Sequence, residues 1–212
     1  HDPAIRDAQE SRGLGDVYKR QLKPIAKYEW TKVFKKGDNS NVDYNKPVSG
    51  PNSLGFDYSY IIPASLDMTP YLYLENERAV EAPLAYTSGK SEDLDGRGVF
   101  WRAGEVAPGF NFYKVLDEFS DKAVSYIKDR KEEVTPFFLY LPLTAPHTPW
   151  LPSSLFEGKS KAGKYGDFVT QVDHTVGKIL KALEKSGKSE NTLITVSYTH
   201  LRAHETPEHR GW

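Results

Sequence analysis

A short apolar run that breaks into a proline-rich loop constrains the fold of this chain more than any other feature. Residues 136–152 read PFFLYLPLTAPHTPWLP, and residues 137–141 have the length and aromatic content of a β-strand buried on both faces. The prolines that follow prevent this run from continuing as a helix or as a central strand. The segment therefore predicts a buried strand followed by a stiff loop.

The loop carries a single ionisable side chain, that of His147. An imidazole can donate a proton, accept one or carry charge near neutral pH, so a histidine on a stiff loop after a buried strand is a candidate binding or catalytic group. The alternative is that His147 only caps the loop by hydrogen bonding.

Two helical patterns flank the loop. Apolar residues recur at helical spacing from about residue 113 to 130 and again from about residue 166 to 186. Gly187 stands where a C-terminal cap would end the second helix. The apolar positions are Leu116, Phe119, Ala123 and Ile127 in the first pattern and Phe168, Val172, Val176, Ile179 and Leu183 in the second.

A second β-branched run, TLITV at residues 192–196, follows the second helical pattern. Strand, helix and strand in this order predict a right-handed crossover and parallel pairing of the two strands. Ligands bind beyond the carboxyl ends of the strands in such sheets, and His147 would lie at that edge. The expected class is α/β, with parallel strands and crossover helices.

The chain before these elements is rich in loops, with short strands expected at residues 58–63 and 71–74. Long loops at the ligand edge of an α/β sheet often shape substrate pockets. The candidates for lining such a pocket are Asp67, Met68, Tyr71 and Trp101. The alternative is that Met68 and the aromatic residues pack in the core while Asp67 caps a turn.

Two other groups that contain histidine do not match a catalytic or metal-binding pattern. Asp173 and His174 lie off the apolar face of the second helix, which predicts solvated positions. Residues 200–209 contain H-x3-H-E-x3-H, but the zinc motif HExxH would need a histidine where Glu208 stands. Pro207 would also break the helix that must present both ligands, so this segment predicts a solvated tail.

Composition narrows the range of partners. The chain has 212 residues and a formal net charge of -1, which gives no electrostatic reason to expect nucleic acid or an anionic membrane as a partner. No apolar run approaches the roughly 20 residues that cross a bilayer. The absence of cysteine excludes disulfide bonds.

Three segments, in order, resemble the sulfatases of the alkaline-phosphatase-like superfamily, and among them the bacterial arylsulfatase-type enzymes. They are LGFDYSYIIPASLDMTPYLYLENERAV (54–80), PFFLYLPLTAPHTPWLPSSLFEGKS (136–160) and YGDFVTQVDHTVGKILKAL (165–183), the last leading into ENTLITV. The resemblance covers residues 22–196. It implies a partial alkaline-phosphatase-like fold, truncated at both ends, and the activity of a sulfuric ester hydrolase.

The resemblance also implies a chemistry: a formylglycine nucleophile made from Cys or Ser, a calcium ion, and a sulfated small molecule or glycan as substrate. His147, in APHTP, matches the pocket histidine that contacts the sulfate. Sulfatases of this type are commonly exported, which implies a periplasmic or extracellular location.

Most of the catalytic residues of the family have no match in this chain. No cysteine is present and no serine lies in a C/S-x-P-x-R setting, so no residue matches the formylglycine precursor. Residues 197–200 read SYTH where the family has Ser-Asp-Asn-Gly with calcium-binding Asp and Asn. The chain is therefore expected to be an inactive fragment that supports neither calcium nor formylglycine.

The two ends, SRGLGDVYKRQ and SYTHLRAHET, resemble peptides translated from sequencing-adapter DNA. Residues 1–21 and 197–212 are accordingly expected to be non-native, and residues 22–196 to be a fragment of a sulfatase catalytic domain.

Two alternative functions stay open: a phosphatase or phosphodiesterase of the same superfamily, and a non-catalytic module that binds ligand without turnover. APHTP followed by YGDFV favours the sulfatase, and the nucleophile motif would decide between the alternatives.

Overall fold

A computed structural model describes residues 43–92 and 98–197 of the chain. Within these ranges the structure is mixed α/β, with two α-helices and several very short strands. The helices are α1 (Val115–Asp129) and α2 (Gly163–Lys185). The strands are β1 (Tyr60–Ile61), β2 (Leu74–Glu75), β3 (Arg78–Ala79), β4 (Ala85–Thr87), β5 (Lys90–Ser91), β6 (Phe100–Trp101) and β7 (Gly104–Val106). Single 3-10 turns occupy Pro51–Leu54, Phe112–Lys114 and Ser189–Asn191.

The strands form three small sheets whose ladders are all antiparallel. The first has the order β1-β2-β3, the second pairs β4 with β7, and the third pairs β5 with β6. β2 and β3 are joined through Asn76 and Glu77, which have φ values of 47° and 68°. Positive φ at both positions is typical of the tight hairpin turn that matches strand twist. The strands expected at residues 58–63 and 71–74 are thus confirmed only in part, as β1 and the start of β2.

The predicted apolar face of the first helix is confirmed in α1. Leu116, Phe119, Ala123 and Ile127 are all buried, with exposed fractions between 0% and 7%. Asn111 caps the preceding 3-10 turn, because its side-chain oxygen accepts a hydrogen bond from the Tyr113 backbone at 3.0 Å. The helix therefore forms where apolar spacing and a capping residue coincide.

The second helix and its glycine cap also follow the prediction. Phe168, Val172 and Leu183 are buried in α2 and Val176 and Ile179 are half-buried, whereas Asp173 and His174 are exposed. Gly187 has a φ of 66°, and its N–H donates to Glu184 while the N–H of Lys188 donates to Leu183. This pair of bonds is the Schellman motif, which satisfies the last carbonyl groups of a helix.

The predicted parallel pairing of residues 137–141 with residues 192–196 is not confirmed. Neither segment forms a strand in the described part of the chain. In the first segment Phe137 and Leu139 are half-buried against α1 and α2, whereas Phe138 is 74% exposed. The physical reason is that no strand lies beside either segment among the described residues, whereas a parallel strand is normally paired along both edges and covered on both faces.

The remaining expectations about segments lie partly outside the described residues. This applies to the non-native segments expected at residues 1–21 and 197–212, of which only Ser197 is described. It also applies to the histidine-rich stretch at residues 200–209. In the ranges that are described, neither helix has the length and hydropathy of a membrane-spanning segment.

Candidate functional site

The proline-rich loop at residues 142–152 is anchored to the rest of the molecule on both sides of His147. Ala145 and Leu151 are buried, with 3% and 1% of their surface exposed. The carbonyl oxygen of Gly98 accepts two hydrogen bonds from the loop, one from Thr148 Oγ1 at 2.9 Å and one from the Trp150 backbone at 2.7 Å. The loop is therefore held in place by packing and by hydrogen bonds, as its sequence predicts.

His147 itself is exposed at the turn of this anchored loop. Its Nδ1 lies 2.6 Å from the carbonyl oxygen of Thr148, so Nδ1 carries the proton that is donated to this oxygen. In the neutral imidazole this tautomer leaves Nε2 as the basic nitrogen. This backbone hydrogen bond is one of the contacts that orient the ring.

Helix α2 supports the far end of the loop through two buried polar side chains. Gln171 is fully buried, and its Oε1 accepts a hydrogen bond from the Ser153 backbone at 2.8 Å. The carboxylate of Asp167, also buried, accepts from the backbones of Gly158 and Ser160 at 2.8 and 2.6 Å. These bonds satisfy the backbone of the chain that runs from the loop into α2. The amphipathic pattern did not predict either residue, because both are polar.

Asp67, one of the predicted pocket residues, forms an ion pair with Arg102 in which only the carboxylate is buried. Asp67 is 6% exposed, and its Oδ2 accepts a hydrogen bond from Arg102 Nη1. The same Nη1 donates to the Asp67 carbonyl oxygen at 3.1 Å, and the Arg102 backbone N–H donates to that oxygen at 3.2 Å. These hydrogen bonds therefore connect the turn that contains Asp67 to Arg102, the residue that directly follows β6. The sequence patterns gave no signal for Arg102, because a single arginine after Trp101 is unremarkable.

Tyr71 joins the same cluster from the core side. It is 2% exposed, and its hydroxyl lies 3.1 Å from the Asp67 carbonyl oxygen and 2.8 Å from that of Arg102. Burial is the main cause that raises the pKa of Tyr71 well above its usual value, and the charge of Asp67 acts in the same direction. The phenol therefore remains protonated, and its one O–H donates to the nearer carbonyl, that of Arg102, with the Asp67 carbonyl at the longer distance.

The other predicted pocket residues are placed differently. Trp101 is 8% exposed, stacks on Phe112 with ring centroids 4.2 Å apart, and donates from Nε1 to Thr87 Oγ1 at 3.2 Å. Met68 is half-buried in the turn, where its backbone N–H donates to the Ser65 carbonyl at 2.8 Å. Tyr71 and Trp101 are thus core residues that present little surface to a ligand.

His147 and Arg102 are linked through one short segment of chain. Gly98, which anchors the histidine loop, lies four residues before Arg102, so their Cα atoms are at most about 14 Å apart. The segment between them contains β6, which pairs with β5. Residues 98–102 therefore contain Arg102 at one end and, at the other, the Gly98 carbonyl that accepts hydrogen bonds from the loop of His147.

Comparisons with known proteins identify the family. The family model described as Sulfatase matches residues 8–209. The chain is 29% identical over 189 residues to an N-acetylgalactosamine-6-O-sulfatase from Bacteroides thetaiotaomicron. This alignment covers 74% of the present chain and 36% of the bacterial enzyme. It is 40% identical over 76 residues to N-acetylgalactosamine-6-sulfatase from Mus musculus, and that alignment covers 36% of this chain and 15% of the mouse protein.

A solved structure is similar as well. It comes from work on the metabolism of multiple glycosaminoglycans by Bacteroides thetaiotaomicron, and it superimposes with a TM-score of 0.58 at 27% identity. The match covers 71% of this chain and 37% of that structure. The chain belongs to the sulfatase family, and it spans about a third of the length of these bacterial relatives.

Sulfatases generally use calcium and formylglycine, and the described residues do not fit either group. Residues 43–92 and 98–197 contain no cluster of three or more acidic or histidine side chains that could hold a metal ion. The sequence contains no cysteine. No step of a reaction is therefore assigned to calcium or formylglycine through the residues described.

Proposed function

We propose that the protein to which this chain belongs hydrolyses sulfate esters and that His147 contacts the sulfate group. The observation that carries the proposal is the placement of His147 in a sulfatase-family chain, exposed on a loop that is anchored on both sides. In the reaction the S–O bond to the alcohol breaks, water supplies the new oxygen on sulfur, and the departing alcohol takes up a proton.

The role of His147 follows from its tautomer. Nδ1 donates to the Thr148 carbonyl, and we propose that the other ring nitrogen, Nε2, donates to a sulfuryl oxygen when the substrate is bound. A cation placed at an oxygen where negative charge accumulates stabilises the transition state. The anchoring of the loop means that the imidazole needs little reorganisation to do this.

The nucleophile and the metal are proposed to be those of the family, formylglycine and calcium. In the longer protein formylglycine would supply the nucleophile at sulfur and calcium would neutralise charge on the sulfuryl oxygens, and residues outside the described ranges would have to hold both groups. The 212-residue chain has no cysteine and no serine in a C/S-x-P-x-R setting. We therefore propose that this chain is inactive by itself, because the loss of a covalent nucleophile removes several orders of magnitude in rate.

The proposed substrate is a sulfated glycan. Relatives from Bacteroides thetaiotaomicron and Mus musculus are named as sulfatases that act on N-acetylgalactosamine 6-sulfate, which supports a sulfated amino sugar as the substrate class.

The test is an assay of sulfate release from an aryl sulfate and from N-acetylgalactosamine 6-sulfate, with and without added calcium. We expect no turnover by the 212-residue chain and turnover by a longer protein that contains it, provided that the longer protein carries the C/S-x-P-x-R motif. In the longer protein His147→Ala should lower kcat by at least about 100-fold. Calcium-dependent hydrolysis by the 212-residue chain, abolished by His147→Ala, would contradict the proposed inactivity.

A further inference from the structure

The guanidinium of Arg102 is held in one orientation and is nevertheless half exposed. Its side chain has 50% of its surface exposed, whereas the Asp67 side chain has 9%. Both hydrogen bonds to Asp67 use the same nitrogen, Nη1. Arginine has five N–H donors, so the donors on Nε and Nη2 are not used within residues 43–92 and 98–197.

The ring of Phe100 restricts the guanidinium from another side. Arg102 Cζ lies 5.4 Å from the centroid of this ring, a distance at which a cation interacts with an aromatic face. Phe100 and Arg102 are two residues apart on an extended segment, so their side chains lie on the same face, opposite the buried Trp101. Asp67 and Phe100 therefore contact the guanidinium from two directions, while half of the Arg102 side chain remains exposed.

This arrangement contributes orientation more than stability. A pair with one exposed partner gains little free energy from its attraction, and burying the carboxylate of Asp67 opposes even that gain. The second oxygen of Asp67, Oδ1, is buried and has no hydrogen-bond partner among the described residues. A buried acceptor without a partner costs stability.

We infer that Arg102 is a substrate-binding residue that contacts an oxyanion of the sulfated ligand, and that Asp67 is the positioning residue that orients it. This inference rests on the proposed function. A fixed guanidinium with an open edge matches the planar geometry of a carboxylate or a sulfate, which it binds through two parallel hydrogen bonds.

The oxyanion has two possible sources, the sulfate ester and the carboxylate of a neighbouring acidic sugar. The experiment is isothermal titration calorimetry of the 212-residue chain with N-acetylgalactosamine 6-sulfate, inorganic sulfate, glucuronate and unsulfated N-acetylgalactosamine.

Arg102→Lys keeps the positive charge beside Asp67 but removes the outer edge of the guanidinium. The matched control is Lys122→Arg, which exchanges the cation of a comparable ion pair with Glu75 in which 37% of the lysine side chain is exposed.

Arg102→Lys should weaken the binding of at least one anionic probe by at least about tenfold, the effect of losing one or both of the parallel charge-assisted hydrogen bonds. Its melting temperature should stay within about 3 °C of the wild type, because the ion pair is retained. If Arg102→Lys binds inorganic sulfate more weakly than the wild type does, the oxyanion is the sulfate. If the variant loses affinity for glucuronate alone, the oxyanion is the carboxylate. Asp67→Asn should weaken the same probe, because the amide no longer fixes the guanidinium.

Several results would overturn the inference. These are an absence of binding by the wild-type chain, equal binding by the wild type and Arg102→Lys, the same loss in Lys122→Arg, and an equal loss with unsulfated N-acetylgalactosamine. His147→Ala separates this inference from the proposed function. If His147→Ala leaves sulfate binding unchanged while Arg102→Lys weakens it, the role proposed for His147 fails and the role of Arg102 stands.

Discussion

Gln171, a fully buried residue of helix α2, accepts a hydrogen bond at 2.8 Å from the backbone N–H of Ser153, directly after the proline-rich loop. Its Nε2 donates to Asp117 Oδ1 of helix α1 at 3.1 Å. One amide side chain therefore connects the loop that carries His147 to both helices.

Replacing this amide should destabilise the fold. Gln171→Leu has a similar volume but leaves the Ser153 N–H and the Asp117 carboxylate without this partner, so we expect the free energy of unfolding to fall by about 1–3 kcal/mol. Chemical denaturation measures this change. Thr170→Ala, at the exposed neighbouring position, is the control and should change stability by no more than about 0.5 kcal/mol. Equal stability of Gln171→Leu and the wild type would show that the amide does not connect these elements.

The anchor at Gly98 provides a second prediction. Thr148→Val keeps the shape of the side chain but removes the 2.9 Å hydrogen bond to the Gly98 carbonyl, and we expect a loss of about 1 kcal/mol in chemical denaturation. Thr170→Val is the matched control, because its hydroxyl bonds only within its own helix, to Gly166 at 2.8 Å. If Thr148→Val and Thr170→Val lower the free energy of unfolding by the same amount, the hydrogen bond to Gly98 does not hold the loop in place.

The alternating burial of residues 137–141 can be tested by a pair of substitutions. Leu139→Ala removes apolar atoms that pack against α1 and α2, and we expect it to cost about 2 kcal/mol or more. Phe138→Ala, at a side chain that is 74% exposed, should cost less than about 0.5 kcal/mol. The reverse order of the two losses would mean that the segment presents its other face to the helices.

The carboxylate of Glu75 makes stability depend on pH. Its pKa lies below the ordinary value of 4.5, first because Tyr58 donates a hydrogen bond to it and then because Lys122 does so. The folded state therefore holds this proton less tightly than the unfolded state. The stabilising contribution is present above about pH 4.5 and is lost as the pH falls through the lowered pKa.

Tyr58→Phe tests this dependence. The variant lacks the 2.6 Å hydrogen bond to Glu75, and we expect it to be about 1 kcal/mol less stable at pH 7, at the low end for a charged acceptor because the carboxylate is partly exposed. The difference should shrink as the pH falls from 7 through the lowered pKa of Glu75, where the carboxylate takes up a proton. Tyr86→Phe, at an exposed tyrosine, is the control. A difference that keeps the same size throughout the acid titration would rule out Glu75 as the cause.

The helices were predictable because their burial follows sequence periodicity. The apolar residues of α1 and the capping residue Gly187 are local signals, and each is in the place that the sequence predicts. The stiff loop around His147 was predictable for a similar reason, since proline acts on its own backbone.

The strands and part of the site were not predictable, because they depend on partners distant in sequence. A strand requires another segment to pair with, and the apolar run at residues 137–141 cannot specify one. The ion pair of Arg102 joins residues 35 positions apart, and nothing in the local pattern around Arg102 indicates that Asp67 will meet it. Gln171 and Asp167 are buried because they bond to a loop, which is an interaction that hydrophobic periodicity does not record.

The central claim, that His147 contacts sulfate, is tested most directly by following the two described histidine rings by NMR while inorganic sulfate is added. His174 is the internal control, because it is exposed on α2 and packs beside Phe156 with ring centroids 5.1 Å apart. We expect the ring resonances of His147 to shift and saturate with sulfate while those of His174 do not, and we expect an equal concentration of chloride to have no such effect. Unchanged His147 resonances, or equal shifts at both rings, would contradict the claim.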